Sequence, residues 1–227
     1  NYIAENEEIV PDGVGFRFKT TGFPSSSYAG SYDSQSLAVK KSDGVDDTEC
    51  DWGIALFYTG STSGSYSGSS NSNYFDYGEL RFYISGSSLE GGTVVSDPVY
   101  LPFFDKGWWT VLLQKDVHSN DITETSTYTL YVKNKLYDGA DGNSIGFTGS
   151  TTISVNGTDS SSINEAWGHY GSSSYDGVTL GGRLNGSKVG TALLNENSTT
   201  NDAGFGFSGS FQEFRYYSNA ISESVFN

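Results

Sequence analysis

The sequence predicts an all-β protein, an antiparallel two-sheet β-sandwich. Apolar residues alternate with polar ones in many short stretches, and Gly, Ser, Asn and Asp fill the segments between them. Successive side chains of a strand point to opposite faces, so this alternation is what half-buried strands require. Many short strands joined by glycine-rich turns, with almost no helical periodicity, are typical of sandwiches and barrels.

The alternating stretches follow one another along the whole chain: Phe16–Phe18, Ile54–Tyr58, Leu80–Ile84, Trp109–Leu113, Tyr128–Val132, Val178–Leu180 and Phe205–Phe207. They are rich in aromatic and β-branched residues, which strands favour. The one helical candidate is Ser218–Phe226, where Ser222 is placed to cap a short turn. We expect the core to include Phe16, Phe18, Leu56, Phe82, Trp109, Leu130, Phe207 and Phe214.

The chain has 227 residues, a length that fits one larger all-β domain of roughly 200–250 residues. Its single cysteine, Cys50, forms no internal disulfide, and a chain of this size needs none to build a core. Methionine is absent and the chain starts at Asn1. We therefore expect residues 1–227 to be a single domain of a longer chain, with neighbouring domains as partners.

Charge and the length of the apolar runs each exclude one class of function. Lys and Arg total 12 against 27 Asp and Glu, for a formal charge of −15. A nucleic-acid binder needs a basic face, so nucleic acid is not an expected partner. No apolar run approaches the roughly 20 residues of a membrane helix, so insertion into a membrane is not expected either.

Three groups of segments carry a resemblance to a known protein superfamily. The first is SLAVK at 36–40, DWGIALFY at 51–58 and GELRF at 78–82. The second is KGWWTV at 106–111 followed by YTLYVKNK at 128–135. The third is FSGSFQEFRYY at 207–217 followed by AIS at 220–222.

In this order the segments resemble the laminin-G-like, concanavalin A-like superfamily, with W-x-x-V, L-Y-V-N-G and F-x-G-x-I-x-x-x-R-x-Y repeats. The resemblance implies a concanavalin A-like jelly roll that binds glycans, matrix proteins or receptors, often with calcium at the rim. In L-Y-V-N-G, the Asn-Gly pair makes a tight hairpin turn. Here Lys135 replaces that glycine, so either Asn134 adopts a positive φ or the loop is longer.

Catalysis is not expected. Glycosidase relatives of this fold carry E-x-D-x-E or E-x-D-x-x-E on one strand, which places a nucleophile and an acid on one face. Here Glu49 and Asp51 begin such a run, but Trp52, Gly53 and Ile54 follow. No zinc-protease or nucleophile-elbow motif is present. A degenerate or unusual glycan-cleaving enzyme stays open as an alternative.

An acidic run leads into the second alternating stretch. Asp46, Asp47 and Asp51 lie within it, and carboxylate oxygens are the ligands that Ca²⁺ prefers. We therefore predict a calcium site formed by these three residues. The alternative is a solvated acidic loop, because ligands one strand step apart face different ways.

Exposed aromatics in loops point to a ligand site. Trp167, His169, Tyr170 and Tyr175 form the densest such group, and an aromatic ring offers a flat apolar surface to a sugar. The alternative is aromatic packing that fixes the loops. Because the chain is acidic, a neutral glycan or a protein surface is expected rather than a sulfated or sialylated target.

The sequence therefore predicts a non-catalytic recognition or adhesion module that binds a glycan or a cell-surface protein at an extracellular or virion surface. A structural spacer in a fibre or capsid-surface protein is the second alternative, beside the glycan-cleaving enzyme.

Overall fold

A computed structural model describes residues 11–21, 34–41, 50–58, 77–85, 93–117, 126–137, 144–155, 178–181, 205–222 and 226. Within these ranges the chain forms strands, turns and connecting segments. At the C-terminal end, the Phe226 amide donates to the Ser222 carbonyl at 3.1 Å, the bonding pattern of one helical turn. The predicted all-β class is confirmed for the part of the chain that is described.

One sheet has five strands in the order β12-β1-β7-β8-β9. Every neighbouring pair in it is antiparallel. The strands are β1 (Gly13–Thr20), β7 (Trp109–Val117), β8 (Ser126–Tyr137), β9 (Ser144–Val155) and β12 (Gly209–Tyr217).

The other sheet has seven strands. They are β2 (Ser34–Lys41), β3 (Cys50–Tyr58), β4 (Gly78–Ser85), β5 (Thr93–Val95), β6 (Val99–Leu101), β10 (Val178–Leu180) and β11 (Phe205–Gly206). The main order is β10-β2-β3-β4-β5, and β6 pairs with β4. All pairs are antiparallel except the short pairing of β11 with β2.

The core lies between the two sheets and draws on both. Six of the residues expected in it are at most 1 % exposed: Phe16, Phe18, Leu56, Phe82, Trp109 and Leu130. Phe103 directly follows β6 of the seven-stranded sheet and packs against the five-stranded sheet. Its ring lies 4.7 Å from that of Trp109 on β7 and 6.1 Å from that of Phe18 on β1. Two antiparallel sheets that share one buried core form the predicted β-sandwich.

The half-buried carboxylate of Asp105 anchors Trp109. Asp105 accepts hydrogen bonds from the Gly107 amide at 2.7 Å, the Trp109 indole at 3.2 Å and the Asn134 side-chain amide at 3.0 Å. Asn134 lies inside β8, which continues to Tyr137, and its φ is not positive. The longer-loop alternative for this hairpin is therefore the correct one.

β12 contains a bulge beside β1. The register shifts between Gly15 and Arg17, so that both Glu213 and Phe214 lie opposite Phe16. Glu213 has a φ of 55°, the left-handed conformation that residues other than glycine rarely adopt. The bulge interrupts the alternation of the strand, and half-buried positions recur every third residue instead.

The bulge and the edge position of β12 explain why Phe214 is only half-buried, whereas Phe207, also half-buried, lies in the segment between β11 and β12. Phe214 lies on this edge strand, packed against the core from its side. Phe207 precedes β12, and its ring packs at 5.9 Å against Phe18 and at 4.6 Å against Phe211. The prediction that they are buried was wrong for both residues, which are only partly buried, although both contact the core.

Candidate functional site

The two sheets differ in how their outer faces are exposed. In the seven-stranded sheet, Val39, Ala55 and Tyr83 lie on the face opposite the core, yet each is at most 2 % exposed. In the five-stranded sheet, alternate residues of β9 such as Thr148 and Thr152 are exposed. Among the described residues, the outer face of the five-stranded sheet is therefore exposed along its edge strand β9, whereas Leu112 and Gln114 on β7 are at most 2 % exposed.

A cleft of about 400 Å³ lies on this outer face. Four neighbouring strands of the sheet supply residues to it: β12, β1, β7 and β8. The residues used below are Gly15, Arg17, Lys133, Glu213, Arg215 and Tyr217. The sheet order brings these residues together, because β1 is the direct neighbour of β12 and β7 alone separates it from β8.

Tyr217 forms the aromatic surface of the cleft. Its ring lies directly over Gly15, where a Cβ atom would stand 2.8 Å from the Tyr217 Cε2 atom. Such a separation is too short for two carbon atoms, so any larger residue at position 15 would displace the ring. The absence of a side chain at Gly15 thus lets the half-buried Tyr217 ring pack onto β1.

Three cations and one carboxylate line the same cleft. Glu213 lies 3.4 Å from Arg17 and 3.6 Å from Arg215, measured between guanidinium nitrogens and carboxylate oxygens. The Arg17 guanidinium also lies 5.5 Å from the centre of the Trp108 ring, within range of a cation–π interaction. Lys133 supplies the third positive charge.

The segment after β12 forms one wall of the cleft. Ile221 and Phe226 line it, and Phe226 is buried. The Phe226 ring lies 4.7 Å from the Lys133 ammonium and 5.9 Å from the Tyr131 ring, both on β8. The chain therefore folds back across the outer face of the five-stranded sheet and closes one side of the cleft.

The structure does not describe the side chains that the sequence predicts as ligand or metal sites. Trp167, His169, Tyr170 and Tyr175 lie outside the described residues, as do Asp46 and Asp47. Asp51 lies on β3, and only its backbone is described. Both the aromatic ligand site and the calcium site stay predictions. Within the described ranges, no group of three or more His, Cys, Asp or Glu side chains is placed to hold a metal ion.

Sequence reasoning missed the cleft, although part of its signal was visible. Arg17 alternates with Phe16 and Phe18, which predicts that it points away from the core. The sequence does not reveal that β12 and β8 bring Arg215 and Lys133 to the same face. That information lies in the order of the strands.

The structure is thus a two-sheet β-sandwich, and the cleft on the outer face of its five-stranded sheet is lined by polar and aromatic side chains. No protein-family model matches the chain, and no curated protein or solved structure matches it either. In the part of the chain that the structure describes, no helix is long and apolar enough to cross a membrane.

Proposed function

We propose that this domain is a non-catalytic recognition module that binds a saccharide on the outer face of its five-stranded sheet. The glycan belongs to a cell surface or matrix, and the domain acts at an extracellular or virion surface as part of a longer chain. The finer assignment to a concanavalin A-like jelly roll belongs to the same proposal. Its support is the sequence resemblance together with two antiparallel sheets around one core.

The observation that carries the proposal is the Tyr217 ring held over Gly15 beside charged groups. A saccharide presents apolar C–H faces and many hydroxyl groups. A site for it therefore combines an aromatic surface with a few polar groups that fix its orientation. The cleft offers both, because Arg17, Arg215 and Glu213 surround the ring.

Binding is favoured over hydrolysis by the number of carboxylates in the cleft. A glycosidase of the common type needs two carboxyl groups on either side of the bond to be cleaved. Glu213 is the one carboxylate among the described lining residues, and two arginines lie beside it.

The test is saccharide binding by Tyr217→Ala, with Tyr100→Ala as the matched control. Tyr100 is also a half-buried tyrosine, but it lies on β6 of the other sheet, with its ring 5.1 Å from that of Tyr77. Each folded protein is applied to an array of neutral and acidic glycans and to intact cells. We expect Tyr217→Ala to bind at least about fivefold more weakly, since truncating an aromatic anchor costs above about 1 kcal/mol.

Tyr100→Ala should bind as the unmodified protein does. If the unmodified protein binds no glycan and no cell, the spacer alternative replaces the proposal. If it binds and both variants bind equally well, recognition does not use this cleft.

A further inference from the structure

The charge of the cleft is opposite to that of the chain. Acidic residues outnumber basic ones by 27 to 12 in the whole sequence. Among the described lining residues, however, Arg17, Lys133 and Arg215 face a single acid, Glu213. Fixed charges that differ in sign from the rest of the molecule concentrate a ligand of the opposite sign at that place.

The Arg–Glu pairs in the cleft are loose. Glu213 lies 3.4 Å from Arg17 and 3.6 Å from Arg215, beyond the roughly 2.7–2.9 Å of a strong charge-assisted hydrogen bond. By contrast, Arg81 and Glu79 on β4 approach to 2.6 Å. A guanidinium carries five N–H donors, so one distant carboxylate leaves donors for another anionic group.

Arg215 is exposed to solvent and Arg17 is half-buried. The Arg215 side chain is 60 % exposed and that of Arg17 is 33 % exposed. An anion can therefore approach the exposed Arg215 guanidinium directly and Arg17 from its accessible side, since the Arg17 Nε atom is buried. The neighbouring Tyr217 ring supplies the apolar surface on which a sugar ring would stack.

We propose that the cleft binds an acidic saccharide, whose carboxylate or sulfate group lies between Arg17 and Arg215 while a sugar ring packs on Tyr217. This inference rests on the proposed function and names its ligand class. The net charge of the chain favours neutral glycans. However, charges beyond the Debye length of about 8 Å are screened at physiological salt, so the charges in the cleft dominate once the ligand is bound.

The test measures binding to three polysaccharides: a polyuronate, a sulfated glucan and neutral dextran. A chelator is present throughout, so that no divalent cation bridges two acidic partners. We expect at least one acidic polymer to bind tenfold or more tightly than dextran, and the two acidic polymers distinguish carboxylate from sulfate. The preference should shrink between about 0.01 M and about 0.15 M salt, as the Debye length falls from about 30 Å to about 8 Å.

Three variants connect the preference with the cleft. Arg215→Gln should weaken binding of the acidic polymer about two- to fivefold, the effect of one exposed ion pair. Glu213→Gln removes the competing carboxylate and should strengthen it, which loss of structure would not do. Lys106→Asn is the control: Lys106 is an exposed cation away from the cleft, and asparagine tolerates its φ of 63°.

The outcomes separate this inference from the proposed function. Binding that is sensitive to Tyr217→Ala, equally tight for dextran and unchanged by Arg215→Gln, would leave a saccharide site and overturn its acidic preference. No binding to any polysaccharide, glycan or cell would overturn both. An equal loss in Lys106→Asn, or equally tight binding of single-stranded DNA, would show non-specific attraction of polyanions and overturn the inference.

Discussion

The side-chain amide of Gln114 forms hydrogen bonds with both backbone polar groups of Ile221. Its Oε1 accepts from the Ile221 amide at 2.9 Å, and its Nε2 donates to the Ile221 carbonyl at 3.1 Å. Gln114 lies on the outer face of β7 and is 2 % exposed. One side chain thereby performs the pairing that a neighbouring strand would provide, and it fixes the segment that forms a wall of the cleft.

We predict that Gln114→Ala releases this segment locally. Removing both hydrogen bonds should cost about 1–3 kcal/mol, because a net hydrogen bond contributes about 0.5–1.5 kcal/mol. Hydrogen exchange at the Ile221 amide should accelerate while the amides of β7 and β8 stay protected. Gln212→Ala, a change on the exposed part of β12, is the control and should leave Ile221 protected. Unchanged exchange at Ile221 in Gln114→Ala would contradict the prediction.

Two adjacent tryptophans allow a matched test of the core. Trp109 is fully buried, whereas Trp108 is half-buried on the opposite face. Trp109→Ala should lower the free energy of unfolding by about 3–5 kcal/mol, because it empties a large volume and removes a donor to Asp105. Trp108→Ala should cost clearly less in the same denaturant titration. A loss below about 1 kcal/mol for Trp109→Ala, typical of surface sites, would mean that Trp109 does not support the core.

Alternation along the sequence predicted the core where strands are regular and central. Trp109 and Leu130 lie on β7 and β8, each with a strand on both sides, and both are buried. At Phe214 the same reasoning fails, because the bulge at Glu213 adds a residue to β12 and changes which positions face the core. Nothing in the local pattern of polar and apolar residues marks where such a bulge occurs.

The strand β9 shows a second limit. It extends from Ser144 to Val155, with Ile153 and Val155 buried and Thr152 and Ser154 exposed, so it does alternate. Its outward positions carry small hydroxyl side chains that also suit a loop, which hides the strand in the sequence. The cleft was hidden for a related reason, since its residues meet through strand order rather than through any spacing along the chain.

The acidic run gives a prediction that rests on the sequence alone. If Asp46, Asp47 and Asp51 coordinate Ca²⁺, the ion binds the native state and should raise the melting temperature. Mg²⁺ at equal concentration is the control for charge screening, since any cation stabilises an acidic protein to some degree. Asp47→Asn should abolish the excess effect of Ca²⁺. Equal shifts with both ions, unchanged in Asp47→Asn, would leave screening as the whole explanation.

Lys115 gives a prediction for the dependence of stability on pH. Its side chain is 5 % exposed and its ammonium lies 5.9 Å from the centre of the Tyr128 ring. Burial lowers the pKa of Lys115 from 10.5 to about 8, and the nearby Asp12 carboxylate partly opposes this change. The unfolded chain therefore binds the Lys115 proton more tightly than the folded protein does. Between these two pKa values, the unfolded state holds more protons, so this residue increases stability as the pH rises.

From about pH 7 to about pH 9.5, the contribution of Lys115 to the free energy of unfolding should rise by about 2 kcal/mol. Other groups titrate in this range too, so the quantity to measure is the difference between the unmodified protein and Lys115→Met at each pH. Methionine keeps a long side chain without a charge, and effects of all other groups cancel in this difference. Denaturant titrations of both proteins should show the unmodified protein gaining stability relative to Lys115→Met as the pH rises. A difference that stays constant would mean that the pKa of Lys115 is not lowered, and that the charged amine is solvated in the native state.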